Sequence, residues 1–134
     1  MLGLLKKKKK TANATILVVD DEADLCSTIE TRLKWNKFKV LTASNGQDGL
    51  EIAASEKPDL ILLDNNMPTM SGLEMLARLH EDPDLKTIPV IMVTAACEPQ
   101  KIAEASSLGI VDYVTKPFDF ADLMEKIFRM LDKK

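Results

Sequence analysis

Aromatic residues make up only 4% of this 134-residue sequence. A core built from it must be packed by aliphatic side chains, and the 46% hydrophobic content is enough for one. Cysteine occurs twice, at Cys26 and Cys97, without a CxxC pair. Two free thiols in a reducing, cytoplasmic setting are the expectation, not a disulfide framework or a structural zinc site. No apolar run approaches the roughly 20 residues that a membrane-spanning helix needs. No glycine-rich loop follows the first apolar run, which removes the phosphate-cradling loop of nucleotide-binding proteins. Acids outnumber bases once one stretch is set aside. The formal net charge is −3, and Lys6, Lys7, Lys8, Lys9 and Lys10 carry +5 of it, leaving −8 for the remainder. So acidic a body argues against nucleic acid as a direct ligand.

Residues 1–14 stand apart as a basic tail, expected to be mobile. Met1-Leu2-Gly3-Leu4-Leu5 precedes the lysines, the reverse of a secretory signal, and glycine is third, not second as myristoylation requires. A solvated arm, a weak contact with anionic lipid or an acidic partner, and a fold-back onto the acidic body all remain open. From Thr15 to Lys134 strand and helix patterns alternate as one domain. Strands are predicted at about 15–20, 38–43, 59–63, 88–94 and 110–115. Four are continuous apolar runs, as expected when helices cover both sheet faces. Val40-Leu41 gives a weaker second strand suited to an edge. Helical spacing is carried by Leu25, Ile29 and Leu33; by Leu50, Ile52 and Ala53 after a cap at Ser44-Asn45; by Leu73, Leu76 and Leu79 after Ser71; by Ile102, Ala105 and Leu108; and by Leu123, Ile127 and Leu131 or Met130 after Asp119. Trp35, near the end of the first helix, is expected to pack. Five strand–helix units with short, right-handed connections give an α/β fold with a doubly wound, five-stranded parallel sheet.

In a parallel sheet the carboxyl ends of the strands share one edge, and ligands bind there. Asp20-Asp21, Asp64, Thr94 and Lys116 each sit at or just past a predicted strand end. Adjacent acids are costly unless a cation relieves them. The doublet also reads as the start of a helix, where acids favour the positive end. Mg²⁺ takes oxygen ligands and often binds through one or two carboxylates plus phosphate. Asp64, on the most central strand, can attack phosphorus and form an acyl phosphate. Thr94 offers a hydroxyl and Lys116 a compact positive charge to phosphoryl oxygens. Pro117 makes Lys116–Pro117 the bond where a cis peptide is cheap, a device for aiming the lysine inward.

The set Val18-Val19-Asp20-Asp21-Glu22, Leu62-Leu63-Asp64-Asn65-Asn66-Met67-Pro68, Val93-Thr94-Ala95 and Asp112-Tyr113-Val114-Thr115-Lys116-Pro117-Phe118 resembles the receiver domain of two-component response regulators, single-domain chemotaxis regulators among them. The resemblance spans about residues 14–131, and each motif, weak alone, gains specificity from the others. It implies a flavodoxin-like (βα)5 fold with strand order 2-1-3-4-5. It implies that Asp64 is the phosphoacceptor, that Asp21, Asp64 and the Asn66 backbone carbonyl bind Mg²⁺, and that Asp20 acts mainly through a metal-bound water. Thr94 and Lys116 would contact the phosphoryl group. Tyr113 matches the aromatic switch that turns inward with Thr94 and rearranges the face of the fourth helix, fifth strand and fifth helix. The donor would be a sensor histidine kinase or histidine phosphotransfer protein. A downstream protein, or a phosphorylation-driven homodimer, would read the change. Such a domain modifies itself and is not a turnover enzyme.

Asn65 is atypical, since the position after the acceptor is more often apolar or aromatic; little effect beyond exposure is expected. Asn66 and Ala96 stand where water access to the phosphoaspartate is tuned. Other classes fare worse. His80 is the sole histidine and ends a helix at His80-Glu81-Asp82-Pro83, so a phosphohistidine protein leaves the acidic crevice unexplained. An aspartate-nucleophile phosphatase wants a second acid where Asn66 stands. A flavin phosphate would be repelled by Asp20-Asp21-Glu22-Ala23-Asp24. The remaining alternative is a receiver-like binding module that works without phosphorylation.

Overall fold

A computed structural model describes residues 13–94, 99–109 and 112–132. Lys6 to Lys10, Ala95 to Cys97 and the predicted start of the fifth strand lie outside the described residues. The elements alternate strictly: β1 (Thr15–Val19), α1 (Ala23–Trp35), β2 (Lys39–Ala43), α2 (Gly46–Glu56), β3 (Leu60–Asp64), α3 (Gly72–Glu81), β4 (Val90–Thr94), α4 (Pro99–Ser107), β5 (Asp112–Thr115) and α5 (Phe120–Asp132). All four strand pairings are parallel, and the sheet order is β2-β1-β3-β4-β5, as the sequence pattern and the resemblance imply. Among the described residues, strand ends fall on the predicted positions or within two residues of them. Asp20 falls just after β1, and Asp64 is the last residue of β3.

Side chains alternate between the faces with the period of a strand. Ile16, Val18, Leu60, Leu62, Ile91 and Val93 meet Ile29, Leu33, Leu123 and Ile127 of α1 and α5. Leu17, Val19, Ile61, Leu63, Val90 and Met92 meet Ala53, Met75, Leu76 and Ala105 of α2, α3 and α4. Among the described residues four buried methionines, Met67, Met70, Met75 and Met92, lie in the second layer, and Met130 lies in the first. β2 is the exposed edge its weaker pattern predicts. Ala14 is already buried, and its carbonyl accepts from the Lys39 amide at 3.0 Å, so packing begins one residue before the predicted boundary.

The predicted caps are in place. The Asn45 side chain accepts from the Asp48 amide at 2.8 Å, and Asp119 Oδ1 accepts from the Ala121 amide at 2.8 Å. Ser71 and Glu74 form a reciprocal capping box at the start of α3. Leu108 lies just beyond α4 and is half-buried. Trp35 does not pack: it is 84% exposed, because Ile29 and Leu33 already fill the buried stripe of α1 and position 35 falls off it.

Candidate functional site

Register brings the site together. Val19 pairs with Leu63 and Asp64 with Val93, so Asp20 and Asp64 stand level at the ends of adjacent strands. Thr94 pairs with Thr115, which puts Thr94 one residue further along the edge and Lys116 one beyond that. The Lys116 amide donates to the Thr94 carbonyl at 2.7 Å, extending the pairing past β5. The Lys116–Pro117 peptide is cis.

Asp20 and Asp64 are 3% and 2% exposed, and Thr94 is also buried, whereas Asp21 lies open. Carboxylate oxygens of Asp20, Asp21 and Asp64 lie within 4.8 Å of one another. Lys116 Nζ bridges them, 3.2 Å from Asp20 Oδ2 and 3.4 Å from Asp64 Oδ1. Its shortest ion pair, 2.9 Å, is to Glu22 Oε1. The sequence reading left Glu22 without this role; its place within reach of a lysine 94 residues on emerges only when the sheet forms. Asp20 Oδ1 accepts from the Glu22 amide at 2.8 Å, so both oxygens of Asp20 are engaged.

Burial and the neighbouring Asp20 carboxylate push the Asp64 carboxyl above its ordinary value, and the Lys116 charge and the Asn66 amide only partly offset this. Burial works against the charge of Lys116 too. The hydrogen bond to Glu22 and the charges of Asp20 and Asp64 outweigh it, holding the ammonium above its usual range. The pocket thus gathers excess negative charge around hard oxygen donors, a donor set suited to Mg²⁺.

The loop after Asp64 is tied to α3 by Asn65. This residue is buried and makes structural contacts, more than the small effect expected of it. The first three amides of a helix have no intrahelical partner. Here Gly72 donates to the Asn65 carbonyl at 3.1 Å, Leu73 to Asn65 Oδ1 at 3.1 Å, and Glu74 to Ser71 Oγ at 3.2 Å. Gly72 comes so close to the strand end that a Cβ there would collide with the Asp64 carbonyl oxygen and lie 2.8 Å from Asn65 Cα. Asn66 is exposed and donates its amide to Asp64 Oδ1 at 3.3 Å.

Thr94 has the strand parity of Met92, and Met92 is the register partner of Tyr113. The two therefore present to the same sheet face on neighbouring strands. Tyr113 is half-buried against the methionine-rich layer. Lys126 of α5 donates to the Tyr113 carbonyl at 3.1 Å, with its Nζ 5.9 Å from the ring centroid.

A five-stranded parallel α/β sheet with an acidic pocket and a lysine at its carboxyl edge defines a signalling receiver. The family model for the response regulator receiver domain matches residues 16–128, and the chain belongs to that family. It is 38% identical over 117 residues to the phosphate regulon transcriptional regulatory protein PhoB of Pseudomonas aeruginosa, covering 87% of this chain and 51% of that protein. It is 35% identical over 119 residues to the alkaline phosphatase synthesis transcriptional regulatory protein PhoP of Bacillus subtilis, covering 89% of this chain and 49% of that one. The chain spans about half the length of these curated relatives. Among solved structures, the Vibrio cholerae chemotaxis protein CheY4 superposes with a TM-score of 0.83 at 29% identity, covering 87% of this chain and 98% of CheY4. Receiver domains are signalling modules, and no described helix is long and apolar enough to cross a membrane.

Proposed function

We propose that this receiver accepts a phosphoryl group on Asp64 from a phosphohistidine donor and signals through a change of its surface. The observation that carries the reading is the Asp64 carboxylate itself. It ends the central strand, is almost fully buried, and has Lys116 Nζ 3.4 Å from one oxygen. An Asp64 oxygen attacks phosphorus, an O–P bond forms as the P–N bond breaks, and the electron pair leaves with the donor imidazole, which takes up a proton. Lys116 and the Thr94 hydroxyl receive the phosphoryl oxygens. Asp21, Asp64 and the Asn66 carbonyl would hold Mg²⁺, with Asp20 reaching it through water, a division supported by the full engagement of both Asp20 oxygens. Bound there, Mg²⁺ supplies positive charge to the phosphoryl oxygens.

The shared face of Thr94 and Tyr113 supports their working as a pair. As Thr94 moves toward the phosphoryl group, Tyr113 follows, and the surface of α4, β5 and α5 changes for a downstream protein or a second copy. The phosphoryl group biases a two-state equilibrium by preferring one state. The donor is a sensor histidine kinase or a histidine phosphotransfer protein.

Mass spectrometry after incubation with acetyl phosphate or phosphoramidate and Mg²⁺ tests the reading, with Asp64→Asn alongside. A labile adduct of one phosphoryl group on the parent chain alone is expected. An adduct retained by Asp64→Asn would overturn the assignment. No adduct on the parent chain, together with no response to beryllofluoride, would point to a phosphorylation-independent binding module.

A further inference from the structure

The outward face of α1 carries both a hollow and a projection. Cys26, Ile29 and Leu33 turn inward. At about 100° per residue the opposite face holds Asp24, Ser27, Thr28, Thr31, Arg32 and Trp35, all exposed. The first five line a shallow hollow of about 420 Å³. Small side chains make its middle. The Thr28 hydroxyl donates to the Asp24 carbonyl at 2.9 Å, and the Thr31 hydroxyl to the Ser27 carbonyl at 3.0 Å. Covering them would leave neither donor unpaired. Arg32 is held at one rim, its guanidinium carbon 4.8 Å from the centroid of the Phe120 ring. Beyond it Trp35 stands 84% exposed, the most open large hydrophobic side chain among the described residues. Charge is divided along the face. Asp24 lies at the acidic start of the helix, and Arg32 lies at its basic end with Lys34.

We propose that this face is an interface between two copies of the chain, their α1 helices antiparallel across a two-fold axis. A two-fold interface uses the same patch on both sides, so the patch must complement itself. This one does so in shape and in charge. An axis passing between Thr28 and Thr31 carries Trp35 of each copy to the Asp24 end of the other copy's hollow. The same rotation sets Arg32 of each copy beside Ser27 and Asp24 of the other, so base meets acid twice. Small side chains at the crossing let the helix axes approach closely. The exposed tryptophan is the anchor, since a few central aromatic and arginine side chains carry most of the binding energy of an interface. From Asp24 to Trp35 the stripe is about 16 Å long. A contact of that size is small for a specific interface, and its dissociation constant should be on the order of 100 µM. The face is separate from the surface of α4, β5 and α5, and the pairing needs no phosphoryl group. Because the helices run antiparallel, the two crevices open toward opposite ends of the pair.

Trp35 is the only tryptophan, so its emission reports the contact directly. The full chain, without a phosphodonor, is followed by sedimentation velocity from about 5 µM to about 1 mM, and its emission is read over the same series. A monomer–dimer equilibrium that goes no further than two copies is expected, with a blue shift as the dimer forms. Trp35→Gln should weaken the pairing about 30-fold. Asp24→Arg should weaken it about tenfold, because like charges then meet at both symmetry-related contacts, and adding Arg32→Asp should restore it. Circular dichroism checks that each variant folds. A chain that stays monomeric at the highest concentration would overturn the proposal. A dimer indifferent to Trp35→Gln would place the contact on another surface and overturn it too. So would a mass that keeps climbing with concentration, the mark of an open head-to-tail contact. Failure of the double charge reversal to restore pairing would overturn the antiparallel arrangement.

Discussion

The most consequential charges in this protein are unbalanced by design of the fold, and Asp64 feels this most. Its carboxyl is raised above the ordinary value by burial and by Asp20. Between the ordinary and the raised value the folded state keeps a proton that the unfolded chain releases, so this group's contribution to stability falls as pH rises above the usual carboxylate range. Asp64→Asn should raise the melting temperature of the metal-free protein at neutral pH. The gain should shrink as pH is lowered to the ordinary aspartate value, and a thermal series between acid and neutral pH checks it. Lys116 behaves oppositely. Its raised ammonium contributes stability that is full below the usual lysine value and is lost as pH rises through the raised one. Lys116→Ala should cost on the order of 2 kcal/mol without metal. That is less than the roughly 3–5 kcal/mol for a fully buried pair, because Glu22 is exposed. In the phosphorylated protein the same variant should uncouple the modification from partner binding, read by pull-down with the downstream target. Asp20, Asp21, Asp64, Thr94 and Lys116 were legible because each follows an apolar run, and strand ends in a parallel sheet must converge. Glu22 was not legible as a partner of Lys116, since its side chain belongs to a helix start and only the folded distance selects the pairing.

At the scale of elements, the joint between β3 and α3 is closely packed. One residue, Asn65, supplies two of the three acceptors that the first turn of α3 needs, and Ser71 supplies the third. Asn65→Ala should cost about 1–2 kcal/mol in chemical denaturation, with the Leu73 amide left without its side-chain acceptor. Gly72→Ala should cost about 1–3 kcal/mol and disturb Mg²⁺ binding, since the added methyl meets backbone at Asp64 and Asn65, not a side chain that can turn aside. A wild-type midpoint in the Gly72→Ala protein would show that the joint is looser than its geometry. The caps at Asn45, Ser71 and Asp119 could be read locally, because a cap and its amide are neighbours in sequence. Asn65 could not, because its partner lies eight residues on, across a loop whose path the sequence does not encode in any periodic signal. Trp35 failed for a related reason: near a helix end the buried stripe runs out, and hydrophobicity alone no longer decides direction.

The whole molecule is a sheet whose two covers are made differently. Continuous apolar strands announced burial on both faces, and the weak β2 announced an edge, but which helices share a face follows from crossover handedness and not from any residue. Because the acidic pocket exists only in the folded chain, Mg²⁺ should stabilise it by mass action, about 2.7 kcal/mol at a hundredfold excess over its dissociation constant. Calorimetry with and without chelator measures this, and Asp64→Asn should lose most of it. Both layers are mainly branched aliphatic, but the layer on the side of α2, α3 and α4 holds four buried methionines, Met67, Met70, Met75 and Met92, where the layer of α1 and α5 holds Met130. Methionine is unbranched and adapts its shape readily, while branched side chains keep theirs. The side that Tyr113 faces is thus the one whose packing can be rearranged with the less change of side-chain shape.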